Sequence, residues 1–71
     1  GTTVIWTNED SAQHNVVSMA ADGSVDAAGV LNGPLLGQGE SFSFTFSDAG
    51  SFDYRCAPHA SMTGAVEVVA P

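Results

Sequence analysis

The chain has 71 residues, 44% of them hydrophobic, and this combination predicts one small globular domain rather than a disordered segment. Eight acidic residues stand against a single base, Arg55, and give a formal net charge of −7. Nucleic acids and anionic membrane surfaces are poor partners for such a chain, because both are bound through Lys and Arg. A cationic partner or a high-salt environment suits this charge better.

Two further properties limit the class of protein. The longest apolar run is far shorter than the roughly 18 residues of a membrane-spanning helix, so we expect no transmembrane segment. The chain opens with Gly-Thr-Thr and has no basic leader, so we expect no signal peptide within it. Its one cysteine, Cys56, excludes an internal disulfide and is a buried apolar residue, a reactive thiol or a metal ligand.

The first half of the chain predicts short strands separated by loops. Val4, Ile5 and Trp6 form an apolar run that ends at the turn-forming residues 7–10. Residues 15–18 predict a second, weaker strand. Between residues 20 and 40 the composition, rich in Gly, Ala and Asp, predicts loops with at most a short strand or helical turn near residues 27–31.

The second half of the chain carries the clearest strand pattern. In residues 41–47 three phenylalanines alternate with Ser and Thr, which predicts one buried and one solvated face. Residues 48–50 predict a turn, and the next residues predict a partner strand whose inward face carries Phe52, Tyr54 and, at its end, Cys56. Residues 66–69 predict the last strand. This pattern is typical of an all-β sandwich or barrel.

The segment 56–62, with the sequence CAPHASM, places a thiolate, an imidazole and a thioether at regular spacing on one loop. Pro58 restricts the backbone between the first two of them. Thiolate and thioether suit Cu(I), and two His and one Cys with a weak axial Met form the blue-copper ligand set. Zinc rarely accepts Met as a ligand. The second histidine of the sequence, His14, completes the set.

Each candidate has a simpler interpretation when it is considered alone. His14 would be a surface or core histidine, His59 a solvated loop residue, and Cys56 a small buried residue. Met62 would fill a gap in the core, and so would Met19, the competing axial candidate. Their conjunction at the end of a predicted strand favours one copper site. The predicted ligands are His14, Cys56, His59 and Met62.

The sequence resembles the cupredoxins, the small blue (type 1) copper proteins. Among them it is most similar to the amicyanins, which share the short C-x-x-H-x-x-M loop, and it also resembles plastocyanins, pseudoazurins and the acidic halocyanins. The segments that carry the resemblance are TVIWTN at 3–8, HNV at 14–16, GPLL at 33–36, DAGSFDYRC at 48–56 and the loop 56–62.

The resemblance implies a Greek-key β-sandwich or barrel that holds one type 1 copper ion through the four residues named above. It also implies that Asn15, next to a ligand, ties the His14 strand to the Cys56 loop. The implied function is electron transport by Cu(I)/Cu(II) cycling in a monomer that is not an enzyme. Transient redox partners would dock on an apolar patch around His59, formed by Leu35, Ala57, Pro58 and Ala60.

Cupredoxins usually have one or two strands before the position of Gly1. We therefore expect residues 1–71 to form a single cupredoxin domain that is incomplete at its N-terminus and less stable than the protein to which it belongs. The implied location is the periplasm or the extracellular side of a membrane, with any signal or anchor upstream of this chain.

Three alternatives remain at this point. The first is an electron-entry copper domain of a larger redox enzyme, although multicopper oxidases flank the cysteine with histidines and this chain has Arg55 and Ala57 there. A binuclear copper centre would need a second cysteine. The second alternative is a non-redox copper carrier, which only reversible redox cycling would distinguish from an electron carrier. The third is a structural β-sandwich without a metal.

Overall fold

The computed structural model describes residues 1–59 and 61–69. All regular elements in these ranges are β-strands, as the sequence predicted. They are β1 (Thr2–Thr7), β2 (Val17–Ser18), β3 (Ser41–Phe46), β4 (Gly50–Arg55) and β5 (Thr63–Val68). In the same ranges we find no helix with the length and hydropathy needed to cross a membrane.

The strands form two antiparallel sheets. One sheet pairs β1 with β3, and the other has the order β2-β4-β5. The predicted pairing of the Phe-rich strand with the strand after the turn is therefore wrong. Residues 47–49 instead carry the chain from one sheet to the other. The apolar faces of β3 and β4 meet across the interior, where the rings of Phe46 and Phe52 lie 5.0 Å apart.

The core lies between the two sheets. Val16, Leu31 and Phe46 are buried at its centre. Near one end of the sandwich, Trp6 from β1 meets Tyr54 from β4 in an edge-to-face contact with 5.5 Å between ring centroids. The opposite face of β1 and β3 is solvated, as the alternation of Phe with Ser and Thr predicted. On this face, exposed hydroxyl side chains of the two strands hydrogen-bond to each other.

Loops occupy most of residues 19–40, as predicted. Residues 27–30 form turns, and neither a strand nor a helix forms there. Two leucines in this region nonetheless enter the core, because Leu31 and Leu36 are both buried. The second predicted strand is shorter than expected: only Val17–Ser18 pair with β4. His14 instead forms an isolated antiparallel bridge with Leu36. This bridge holds the backbone of His14 in place at the end of the sandwich.

Candidate metal centre

The backbone before His14 is held by the buried side chain of Asn8. Its amide nitrogen donates to the carbonyl oxygens of Ala12, at 2.9 Å, and Leu36, at 2.8 Å. Its amide oxygen accepts the backbone N–H of Asp10 at 2.9 Å, which forms the Asx turn that Asn favours after a strand. The His14 backbone then exchanges two hydrogen bonds with Leu36, so the imidazole starts from a fixed position.

The second half of the site is a loop between β4 and β5. Arg55 and Thr63 are opposite each other at the ends of the two strands. One residue further, the Cys56 N–H donates to the Met62 carbonyl at 2.9 Å, and the Met62 N–H donates to the His59 carbonyl at 2.9 Å. These bonds join the two ends of the loop and continue the contact between β4 and β5 beyond the paired strands. Cys56 therefore lies just beyond β4 rather than within it.

Three donor atoms converge at this end of the sandwich. Cys56 Sγ lies 3.5 Å from His14 Nδ1 and 3.6 Å from His59 Nδ1, and the two Nδ1 atoms are 3.1 Å apart. All three atoms lie within 4.8 Å of one another. Protein ligands bind a metal such as zinc at about 2.0–2.1 Å through nitrogen and about 2.3 Å through sulfur. The donor triangle has the size that a single ion with such bonds requires.

A carboxylate decides which nitrogen of His14 is available. Asp10 Oδ2 lies 3.0 Å from His14 Nε2. A carboxylate only accepts hydrogen bonds, so Nε2 carries the proton and Nδ1 keeps its lone pair in the neutral ring. The hydrogen bond that His14 donates to Asp10, followed by its hydrogen bond with Cys56, raises the pKa of His14, and the same contact lowers the pKa of Asp10. A carboxylate behind a ligating histidine is a recurrent arrangement in metal sites.

The thiol of Cys56 is unusually acidic for a residue that is only 4% exposed. Burial raises the pKa of this thiol, but hydrogen bonds with the Asn15 backbone and with the rings of His14 and His59 outweigh burial and lower the pKa to about 7. A thiolate is the form that binds metals. The surroundings of Cys56 therefore favour its ligating form.

The thioether of Met62 lies at the edge of the same site. A cavity of about 460 Å³ is lined by Met62 together with His14 and Cys56, and Met62 is 48% exposed. Met19, the competing axial candidate, lines a different cavity with Asp26 and Asp53. The structure thus brings His14, Cys56 and His59 together as donors, with Met62 beside them and Met19 elsewhere.

Asn15 links the two halves of the site, as predicted. Its side-chain oxygen accepts the Ala57 N–H at 2.8 Å, which connects the residue after His14 to the residue after Cys56. Three other contributors were missed by sequence reasoning: Asn8, Asp10 and Arg55. The Asn-x-Asp spacing before His14 is a turn signal that could have pointed to the first two. Nothing in the sequence shows where Arg55 donates its hydrogen bonds.

The comparisons with known proteins agree with this geometry. Residues 1–69 match the sequence model of copper-binding proteins of the plastocyanin/azurin family. The chain is 40% identical over 68 residues to an amicyanin from Paracoccus denitrificans, across 96% of this chain and 50% of that protein. It is 36% identical over 77 residues to a plastocyanin from Scenedesmus fuscus, across 96% of this chain and 74% of that protein.

Solved structures give the same result for the fold. A purple cupredoxin from Nitrosopumilus maritimus superposes with a TM-score of 0.88 at 39% identity, over 97% of this chain and 70% of that one. The Cu(I) form of an amicyanin mutant superposes with a TM-score of 0.81 at 39% identity, over 97% and 63%. The chain spans about half the length of the amicyanins it matches. This chain belongs to the plastocyanin/azurin family of copper-binding proteins and has the cupredoxin fold.

Proposed function

We propose that His14, Cys56, His59 and Met62 bind one copper ion and that the protein carries single electrons by cycling between Cu(I) and Cu(II). The observation that carries this proposal is the triangle formed by the Sγ of Cys56 and the Nδ1 atoms of the two histidines, with sides of 3.1–3.6 Å. A thiolate with two imidazoles and a nearby thioether is the donor set of blue-copper sites.

The protein's own contribution is to hold these donors still. Copper, when bound, supplies the one-electron couple. Asp10 keeps the proton on Nε2 of His14, and Asn15 holds the peptide that follows Cys56. Because Cys56 is almost fully buried, water has little access to its sulfur. A site with ligands already in place needs little rearrangement when its charge changes by one electron, since packed interiors resist deformation.

The proposed test is the visible spectrum of the protein after Cu(II) is added. We expect a strong thiolate-to-copper charge-transfer band that gives a blue or purple colour. The variant Cys56→Ser should lose this band, because it lacks the thiolate. A colourless wild-type complex with weak absorption would refute the blue-copper assignment, and so would a Cys56→Ser variant that keeps the band. Repeated oxidation and reduction without loss of the metal would distinguish an electron carrier from a copper carrier.

Met62 is proposed as a weak axial ligand. Axial bonds in blue-copper sites are long and tune the reduction potential more than they supply affinity. Met62→Gln should therefore retain copper and lower the potential, because an oxygen donor favours Cu(II). Met19→Gln is the matched control, since Met19 lines the other cavity, and it should leave the potential unchanged. Loss of copper from Met62→Gln, or an equal shift in the control, would contradict this role.

The proposal includes the partner and the location. Leu35, Ala57 and Pro58 are exposed, and the last two lie on the same loop as His59, while Ala60, the fourth residue of the expected patch, lies outside the described residues. A small apolar contact suits a transient redox encounter. The net charge of −7 favours a cationic partner, so electron transfer to a basic redox protein should slow as salt increases. We place the protein, a monomeric carrier rather than an enzyme, in the periplasm or outside the cell.

A further inference from the structure

Arg55 supplies the only Lys or Arg side chain among 71 residues with eight acids. In the described part of the chain, its guanidinium forms no ion pair within 4.0 Å of a carboxylate. It donates instead to three backbone carbonyl oxygens: Nε to Cys56 at 3.2 Å, Nη1 to Gly23 at 2.9 Å and Nη2 to Ala57 at 3.0 Å. The rigid fork of Arg can hold several acceptors at once, which a Lys ammonium does less well.

Two of these acceptors belong to the ligand loop. The carbonyl of Cys56, and therefore the backbone of the thiolate ligand itself, accepts from Nε. The residue Ala57 is held from both sides, because its N–H donates to Asn15 and its carbonyl accepts from Arg55. The loop thus has a second backbone contact besides the one with Asn15.

The third acceptor anchors the guanidinium to a separate part of the fold. Gly23 lies in a tight turn that is closed by the hydrogen bonds Gly23 N–H to Ala20 and Ala20 N–H to Ser24. Its φ of 88° lies in the left-handed region that glycine adopts without strain. The turn is attached to β4, since the Met19 N–H donates to the Asp53 carbonyl. Arg55 therefore ties the ligand loop to a structured turn rather than to solvent.

We infer that Arg55 is a positioning residue for the metal-binding loop and that its charge raises the reduction potential of the site. The first role follows from the three hydrogen bonds. The second rests on the proposed copper function: a fixed, half-buried positive charge on the backbone of the thiolate ligand favours the metal state of lower charge, which is Cu(I).

The experiment compares Arg55→Gln, Arg55→Lys and a control, Ser47→Glu, with the wild-type full chain. Ser47→Glu and Arg55→Gln change the net charge by the same amount, since one adds a negative charge and the other removes a positive charge. Ser47, however, is exposed in the turn after β3, at the other end of the sandwich. In the copper-free protein, hydrogen exchange of the Ala57 and His59 amides should become about tenfold faster in both Arg55 variants, which is the factor expected for one hydrogen bond to a charged group. The control should not change it.

In the copper-loaded protein, the potential should fall in Arg55→Gln but be retained in Arg55→Lys, which keeps the charge. Unchanged amide exchange in both Arg55 variants would overturn the positioning role even if copper binds normally. An equal fall of the potential in Arg55→Lys, or in Ser47→Glu, would overturn the role of the charge. If wild-type protein binds no copper, the proposed function fails, whereas the exchange comparison still tests the loop contact. Arg55→Lys also serves if Arg55→Gln does not fold.

Discussion

At the scale of single residues, the Asp10 carboxylate is the group with the most direct influence on a proposed ligand. It lies 3.0 Å from Nε2 of His14, on the far side of the ring from Cys56. A hydrogen bond to an anion makes an imidazole a stronger electron donor, and a stronger donor stabilises the more highly charged metal. We therefore expect the side chain of Asp10 to affect the proposed copper site from outside the ligand set.

Replacement of Asp10 separates its charge from its hydrogen bond. Asp10→Asn should raise the reduction potential, because the amide oxygen still accepts the proton but no longer carries charge. Asp10→Ala should in addition weaken Cu(II) binding by about tenfold or more, the usual effect of losing such a partner. Voltammetry and a copper competition titration measure both. Asp22→Asn is the matched control, since among the described residues the side chain of Asp22 hydrogen-bonds only to Ser24 of its own turn. Equal potentials for the two Asn variants would show that Asp10 has no special role.

The acidity of Cys56 gives a pH dependence in the copper-free protein. Its pKa of about 7 in the folded chain lies below the ordinary value of 9.0 for a cysteine thiol. Because the folded pKa is lowered, the thiolate contributes stability that is fully present above about 9 and is lost as the pH falls through about 7. We expect the ultraviolet absorbance of the thiolate, and the rate of alkylation by a small reagent, to rise with a midpoint near 7. The denatured chain is the control, and a shared midpoint near 9.0 would contradict the predicted shift.

At the scale of elements, the pairing of β4 with β5 depends on a glycine. Gly64 is opposite Tyr54, and a Cβ at this position would lie 2.5 Å from the tyrosine ring. The ring has little freedom to move, because it packs edge-on against Trp6. The pairing of β4, which ends just before Cys56, with β5, which begins just after Met62, therefore requires a residue without a side chain at position 64.

Gly64→Ala should lower the free energy of unfolding by about 1–3 kcal/mol, the usual cost of overpacking a filled site. Chemical unfolding of the copper-free protein measures this change. Gly1→Ala is the control with the same chemical change, since nothing lies within 4 Å of a Cβ at Gly1. A loss of less than 0.5 kcal/mol, the range of ordinary surface substitutions, would mean that the ring can move aside.

The strands themselves could be predicted from the sequence, but their pairing could not. Alternation along residues 41–46 identified β3 because one face of that strand is buried and the other is solvated. The same alternation is compatible with a hairpin and with a crossing between sheets, since both place Phe46 and Phe52 in the interior. The local sequence pattern indicates which face of a strand is buried but not which other strand it pairs with. The sequence likewise predicted loops at residues 31–36, but it did not predict that this segment places two leucines in the core.

The sequence predicted the part of the candidate site whose residues lie close together along the chain. Cys56 and His59 share one short loop, and the structure brings their donor atoms to 3.6 Å. His14 followed because the sequence has no other histidine to complete the pair. Arg55 gave no such signal, because its acceptors are backbone carbonyls, which every residue has, and one of them, Gly23, is 32 positions away. Contacts of this kind depend on the fold and not on residue type.

At the scale of the whole molecule, like charges dominate the surface. The net charge is −7 on a body with a Cα radius of gyration of 12.0 Å, so the acidic side chains repel one another. Repulsion of this kind opposes the compact state and is screened by salt, with a Debye length of about 10 Å at 0.1 M and about 3 Å at 1 M.

We therefore expect the unfolding midpoint of the copper-free protein to rise as sodium chloride is increased from low concentration to about 1 M. Thermal unfolding followed by circular dichroism measures it. Asp48→Asn, which removes one exposed acid in the turn before β4, should raise the midpoint at low salt and respond less to added salt. A midpoint that falls with salt would indicate that specific pairs such as Asp10 with His14 outweigh the general repulsion.

The distance along the chain between the proposed ligands has a consequence for folding. His14 and Cys56 are 42 residues apart in sequence, yet their donor atoms are 3.5 Å apart. A metal bound to both would act as a reversible staple, and closing a loop of this length removes about 4 kcal/mol of conformational entropy from the unfolded chain. The short segment 56–62 can close at far lower entropic cost, so an unfolded chain would capture copper there first and recruit His14 last. A chelator would accordingly act on this protein as a reducing agent acts on a disulfide-bonded one: it would restore conformational freedom to the unfolded chain and so lower the free energy of unfolding.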